Sequence, residues 1–208
     1  MIKVPRIIKK LFYNQIWEVP NDEKKIYLTF DDGPTPEITE WVLDVLKKEN
    51  IKATFFCIGN NIEKHPEVFI KTIQEGHAIG NHTFSHLQGW KTSLKKYIEN
   101  AELCNTEINK QNTGHPKLFR PPYGKITPTQ SQLLRKKGYK IIMWDVLSKD
   151  YDSLETPKNC LENVIKHTAQ GSIIVFHDSK KASQNLKLSL PETIKRLKEK
   201  GFIFDVLN

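Results

Sequence analysis

The 208 residues carry 38% hydrophobic and 27% charged side chains, a balance that excludes a disordered chain and a membrane bundle. A formal net charge of +8 invites an anionic partner, but the lysines are spread over every predicted helix without an aromatic-interleaved basic motif, which argues against nucleic acid. Cys57, Cys104 and Cys160 cannot all pair within one chain and no Cys-x-x-Cys occurs, so neither a disulfide scaffold nor a thiolate metal site is expected.

The chain opens on a basic stretch. Lys3, Arg6, Lys9 and Lys10 interrupt every apolar run in residues 1–11, so the segment reads as neither a secretory signal nor a transmembrane helix. By default this places the protein in the cytoplasm or at a membrane periphery. Ile7, Ile8, Leu11 and Phe12 could line the apolar face of a short helix. Packing of that face on the protein's own body is the expectation, and peripheral membrane contact is the alternative. Residues 1–20 are therefore assigned as a basic amphipathic extension and 21–208 as one domain, since no repeat, low-complexity tract or linker follows.

From there strand and helix alternate. Apolar runs predict strands over 26–30, 53–58, 78–82, 117–120, 139–144, 172–176 and 202–206. Helical spacing of apolar side chains, bounded by prolines and glycines, predicts helices over 39–48, 66–74, 93–109, 129–137, 157–167 and 190–200. Such alternation means a mostly parallel sheet covered by helices, either a closed or nearly closed β/α barrel or an open doubly wound sheet. No glycine-rich nucleotide loop follows the first strand, which weakens the nucleotide-binding version.

The first strand ends in Asp31-Asp32-Gly33-Pro34. Adjacent carboxylates repel in a low-dielectric setting, so a nearby cation, most simply a metal ion, is expected. A regular strand would point them to opposite faces, whereas the Gly-Pro turn lets them converge. His82-Thr83-Phe84-Ser85-His86 places two imidazoles four apart, on one face of a helical turn and within reach of a single ion. Asp32, His82 and His86 then form a two-His, one-carboxylate set that leaves positions open for water and substrate. Arg120, before two rigid prolines, is expected to pair with a carboxylate, and the Tyr123 and Gly124 amides are expected to stay free to donate. His177 ends a buried apolar strand. Asp31, Asp32, His82, Arg120, Asp145 and His177 all fall at predicted C-terminal strand ends, which in a β/α barrel line one mouth.

Taken together, these motifs resemble the polysaccharide deacetylases (carbohydrate esterase family four, the chitooligosaccharide deacetylase homology domain). Thr29-Phe30-Asp31-Asp32-Gly33-Pro34, His82-Thr83-x-x-His86 and Arg120-Pro121-Pro122-Tyr123-Gly124 match the family pattern closely, and the His177-Asp178 strand end fits another of its motifs. A further motif, typically Trp-x-x-Asp-x-x-Asp-Trp, departs: Leu147 stands at the first Asp and Tyr151 at the final Trp, while Asp150 is kept. The resemblance implies a single-domain, distorted β/α barrel of seven strands. It makes 21–208 a catalytic domain that removes N-acetyl groups from N-acetylglucosamine-containing glycans, such as peptidoglycan or chitin-like oligomers, with one divalent metal.

The resemblance also implies roles. Asp32, His82 and His86 would hold the metal, zinc by default, with cobalt, nickel or manganese as substitutes. Asp31 would take the proton of the attacking water, steadied by the Arg120 guanidinium through two hydrogen bonds. The Tyr123 N–H would stabilise the tetrahedral oxyanion. His177 would protonate the leaving amine, with Asp150 on its other ring nitrogen. Tyr123, Tyr151 and Trp90 are candidates for contact with a sugar ring. His65, His77, His115 and His167 lack a partner pattern. The alternative is a metal-dependent amidase acting on a small non-sugar amide. An iron oxygenase would have no use for Asp31 and His177, and a silent glycan binder would not need the full set.

Overall fold

The computed structural model describes residues 2–111 and 114–208. The N-terminal segment carries α1 (Arg6–Leu11). There follow β1 (Lys25–Asp31), α2 (Ile38–Lys48), β2 (Thr54–Cys57), α3 (Gly59–Lys64), α4 (Pro66–Gln74), β3 (Ala78–Asn81), α5 (Leu94–Gln111) and β4 (Leu118–Phe119). The second half adds α6 (Pro128–Lys136), β5 (Lys140–Ile141), β6 (Val146–Leu147), α7 (Pro157–His167), β7 (Ile173–His177), α8 (Ser183–Glu199) and β8 (Ile203–Asp205). Seven strands lie in the order β5-β4-β3-β2-β1-β7-β6, and β8 joins the start of β1. Every pair among them is parallel.

Strand alternation sorts β1 into two environments. Ile26, Leu28 and Phe30 enter the large core beneath the helices, with Val42, Leu46 and Leu190. Tyr27 joins a smaller cluster with Phe56 and Ile142, and Thr29 and Asp31 fall on that same side, inside the curl of the sheet. Prolines at the first turn and threonine N-caps set the starts of α6 and α7, as their sequences indicate.

The sheet must curl. Its two edge strands, β5 and β6, are separated in the chain by only Ile142–Asp145, a span of roughly 18 Å even when fully extended. The strand predicted over 139–144 shrinks to β5, Lys140–Ile141, one edge of an open barrel whose other edge, β6, follows at Val146–Leu147. The seam between them is filled from the N-terminus: Ile16 N–H donates to Ile141 O at 2.8 Å, and Met143 N–H donates to Ile16 O at 2.7 Å. Lys3 bridges Val146 and Glu18 bridges Ser172, both antiparallel.

This seam moves Asp145 away from the position expected of it. It precedes β6 and its N–H donates to Ile173 O, so it lies at the start of β7, the opposite end of the sheet from His177. Its carboxylate is buried with Lys3, Lys9 and the Ser172 hydroxyl. Two further expectations are corrected. His82 and His86 lie in an irregular loop with Thr83 and His86 at positive φ, not on a helix. The last long helix begins at Ser183 and runs through Pro191, because Leu186, Leu190, Ile194 and Leu197 form one buried stripe. Of the apolar face expected in the N-terminal segment, Ile8 packs on the body, whereas Ile7, Leu11 and Phe12 are exposed.

Candidate active site

β1 delivers Asp31 into the curl, where Arg120 Nη1 donates to its Oδ1 at 2.7 Å. Asp32 follows at φ +83°, a left-handed conformation that costs a non-glycine residue roughly 1–2 kcal/mol. That conformation breaks the strand alternation and brings both carboxylates to one cavity. The turn is secured by Asn61 Nδ2, which donates to Asp32 O at 2.8 Å, and by Gly33 N–H, which donates to Asp178 Oδ1 at 3.0 Å. A Cβ on Gly33 would lie 2.0 Å from Asp178 Oδ2, so no larger residue fits.

Asp32 Oδ1 lies 3.2 Å from His86 Nε2 and 3.6 Å from His82 Nε2. His82 Nδ1 is 2.8 Å from the Arg120 carbonyl, which can only accept, so Nδ1 carries the proton and Nε2 turns a lone pair toward the carboxylate. Burial pushes the His82 pKa down to about 4, which keeps the ring neutral. Asp32 Oδ1 is itself buried without a hydrogen-bond partner. Burial opposes its ionisation, but the His86 ring beside it and the charge of His177 outweigh that and hold the carboxyl below the usual range. Two buried acceptors facing each other call for a cation. The three ligand atoms, within 4.8 Å of one another, fit a divalent transition metal in nitrogen and carboxylate character.

Arg120 is fully buried. Its Nη1 also donates to Thr29 Oγ1 at 2.7 Å, Nη2 donates to Met143 O at 3.0 Å, and the guanidinium lies 4.0 Å from the Phe56 ring centre. Asp31 therefore receives one hydrogen bond from it, where two were expected. Burial lowers the Arg120 pKa and the Asp31 charge raises it, with burial prevailing.

β7 delivers His177 to the other side of the cavity. Asp150 Oδ1 lies 2.8 Å from His177 Nδ1, and Asp150 Oδ2 accepts the His177 backbone N–H at 2.8 Å. Ser148 Oγ donates to the same Asp150 Oδ1 at 2.9 Å. Both Asp150 oxygens are thus committed to holding the ring, and Nε2 is left for the cavity. Burial would lower the His177 pKa, but Asp150, with Asp32 and Asp31 behind it, raises it to about 9.

Tyr123 adopts φ +59° at the rim, and among the described residues its N–H has no partner, whereas the Gly124 N–H donates to Pro121 O at 2.9 Å. Only the first of the two amides expected to be free is so. The Tyr123 ring is exposed and lies 4.6 Å from His86, and Tyr151 meets His177 edge-on at 4.8 Å. Trp90 stands outside the cavity lining, its Nε1–H donating to Ile126 O at 3.2 Å. Trp144, Leu147, Lys125 and Lys181 do line it, and the sequence reading assigned a role to neither Trp144 nor Lys125. Asp178 was also missed, although it is a second acid at the same strand end. It is buried against Thr39 and Gly33, with a pKa raised to about 7 by burial and by the charge of Asp32.

A family model for polysaccharide deacetylase matches residues 18–142, more than half of the chain. A peptidoglycan-N-acetylglucosamine deacetylase of Bacillus cereus is 35% identical over 190 residues, covering 90% of this chain and 88% of that protein. Chitin deacetylase 2 of Saccharomyces cerevisiae is 35% identical over 176 residues, 82% of this chain and 55% of that one. The fold superposes with a TM-score of 0.90 on a crystal structure of a peptidoglycan N-acetylglucosamine deacetylase in complex with 4-naphthalen-1-yl-N-oxidanyl-benzamide, at 33% identity over 98% of this chain and 95% of that chain. Sequence model, relatives and fold agree, and the chain belongs to the polysaccharide deacetylase family.

Proposed function

We propose that this protein hydrolyses the N-acetyl amide of N-acetylglucosamine units in a glycan, releasing acetate and a free amine. One observation carries the reading. Asp31 and His177 are held by partners of opposite charge on one cavity of about 490 Å³, beside Asp32, His82 and His86. Amide hydrolysis needs both kinds of group, since the water must lose a proton and the amine must gain one.

A divalent ion held by Asp32, His82 and His86, zinc by default, would supply Lewis acidity toward the acetyl oxygen and the attacking water. Asp31 accepts the water's proton on the oxygen that Arg120 leaves free. The Tyr123 N–H donates to the acetyl oxygen as it gains negative charge. His177 delivers a proton from Nε2 to the leaving nitrogen as the C–N bond breaks, while Asp150 keeps its ring in place.

Tyr123, Trp144 and Tyr151 line the cavity, which favours a sugar ring over a small non-sugar amide. Lys125 and Lys181 also line it, each over an aromatic ring rather than beside a carboxylate. They favour a glycan bearing carboxylates, as peptidoglycan does, over a neutral chitin-like oligomer. The test is acetate release from peptidoglycan fragments and N-acetylglucosamine oligomers, with zinc or cobalt and with chelator. Metal-dependent release, fastest on the carboxylate-bearing fragments, is expected. Absence of release from every member by metal-loaded protein would replace this reading with the small-amide one.

A further inference from the structure

The N-terminal helix α1 is mounted with its apolar stripe outward. Of the eleven exposed large hydrophobic residues among those described, four fall within 7–13: Ile7 at 69% exposure, Leu11 at 69%, Phe12 at 47% and Tyr13 at 78%. Ile7 and Leu11 are one helical turn apart and share a face, and so do Arg6 and Lys10 on the neighbouring stripe. Arg6 and Lys10 are exposed, and no ion pair with an acid is made by either among the described residues. Single exposed apolar side chains are ordinary on a protein surface, but a contiguous set rimmed by free cations is a contact surface.

The stripe cannot roll inward. The inner side of α1 carries Ile8, which packs with Val4 and Trp17, and Lys9, which pairs at 2.6 Å with the buried Asp145 and also with Glu18. Turning Ile7 and Leu11 toward the body would strip Asp145, 1% exposed, of one of its two lysine partners, and a buried carboxylate that loses a counter-charge is destabilised.

We propose that this face docks the protein on an anionic lipid surface. Ile7, Leu11, Phe12 and Tyr13 enter the boundary between headgroups and acyl chains, and Arg6 and Lys10 meet lipid phosphates. A second copy of the chain is a poorer occupant, because a two-fold contact would bring the Arg6 and Lys10 stripes together with no free acid between them. The Asp145 anchor lies at the opposite end of the sheet from His177. None of the docking residues lines the cavity, so a docked molecule leaves it unblocked.

The experiment is co-sedimentation of the full chain with vesicles of phosphatidylcholine alone or with about one third phosphatidylglycerol. Binding to the anionic vesicles only is expected. Arg6→Gln with Lys10→Gln should weaken it roughly thirtyfold, the effect of about two surface charges. Leu11→Glu with Tyr13→Glu should weaken it more than roughly tenfold through lost apolar insertion. Acetate release from soluble oligomers should not change in either variant, since none of these residues touches the cavity. Absence of binding to anionic vesicles, or binding that both variants retain, would overturn the proposal. So would a concentration-dependent dimer, abolished by Leu11→Glu with Tyr13→Glu, in protein that ignores vesicles.

Discussion

Replacing Asp150 by asparagine removes one negative charge from beneath His177 and nearly preserves the side-chain volume. In the metal-free protein the His177 pKa stands at about 9, against an ordinary 6.5. That difference corresponds to about 3 kcal/mol of preference for the charged ring. Burial acts in the opposite direction and Asp150 is its largest counterweight, so without it the pKa should fall to the neighbourhood of 6.5. At pH 7.5 the protonated fraction then drops from nearly all to about a tenth. Asparagine adds a geometric fault, because it offers one acceptor where Asp150 accepts from both the ring and the backbone N–H of His177.

Two measurements follow the change. NMR titration of the His177 ring in chelated protein should show its midpoint fall by about two units. In the metal-loaded enzyme, where a cation at Asp32 offsets part of the local negative charge, the alkaline limb of kcat should still shift to lower pH. Amide turnover at pH 8 should drop roughly hundredfold, while an activated ester, whose leaving group needs no proton, loses far less. The linkage has a definite sign. A folded pKa above the unfolded one stabilises the fold fully below pH 6.5, and that contribution is lost as pH rises through 9. The metal-free variant should therefore be less stable than the parent at pH 6 and approach it above pH 9. An unmoved ring titration, or equal losses on amide and ester, would refute the assignment of His177 as the acid.

Arg120→Met leaves the Asp31 charge buried without its guanidinium and should cost roughly 3–5 kcal/mol in urea unfolding; a loss under about 1 kcal/mol would contradict the burial argument. Asp32→Asn should abolish the rise in melting temperature on adding zinc, whereas Asp31→Asn should keep the rise and lose turnover. For a site filled at 100 times its Kd that rise corresponds to about 2.7 kcal/mol, and chelator should remove it. Gly33→Ala forces a carbon to within 2.0 Å of Asp178 Oδ2 and should lower the melting temperature and the metal response together. Buried His77, away from the site, has a pKa lowered to about 4 by burial and by Lys52, so its contribution is present above pH 6.5 and lost as pH falls through 4. It should account for about 3 kcal/mol of acid destabilisation, and His77→Gln should flatten the stability curve over that range.

The alternation of strands and helices is legible in the chain, because buried strands read as apolar runs and their helices as periodic stripes. So is the gathering of Asp31, Asp32, His82, Arg120 and His177, since a parallel sheet brings its C-terminal strand ends to one edge. The remaining features depend on contacts between distant parts of the chain. The run over 139–144 is cut short at an edge because β4 claims Lys140 and Ile141, while Ile16 fills the seam beyond them. Asp145 leaves the mouth because its N–H is held at the start of β7 and its carboxylate by Lys3 and Lys9. The outward mounting of Ile7 and Leu11 has the same origin, for α1 is oriented by the ion pair from Lys9 to Asp145, 136 residues away. Local periodicity reports which side chains share a face. Which face turns inward is decided by partners that the chain brings back from far along its length.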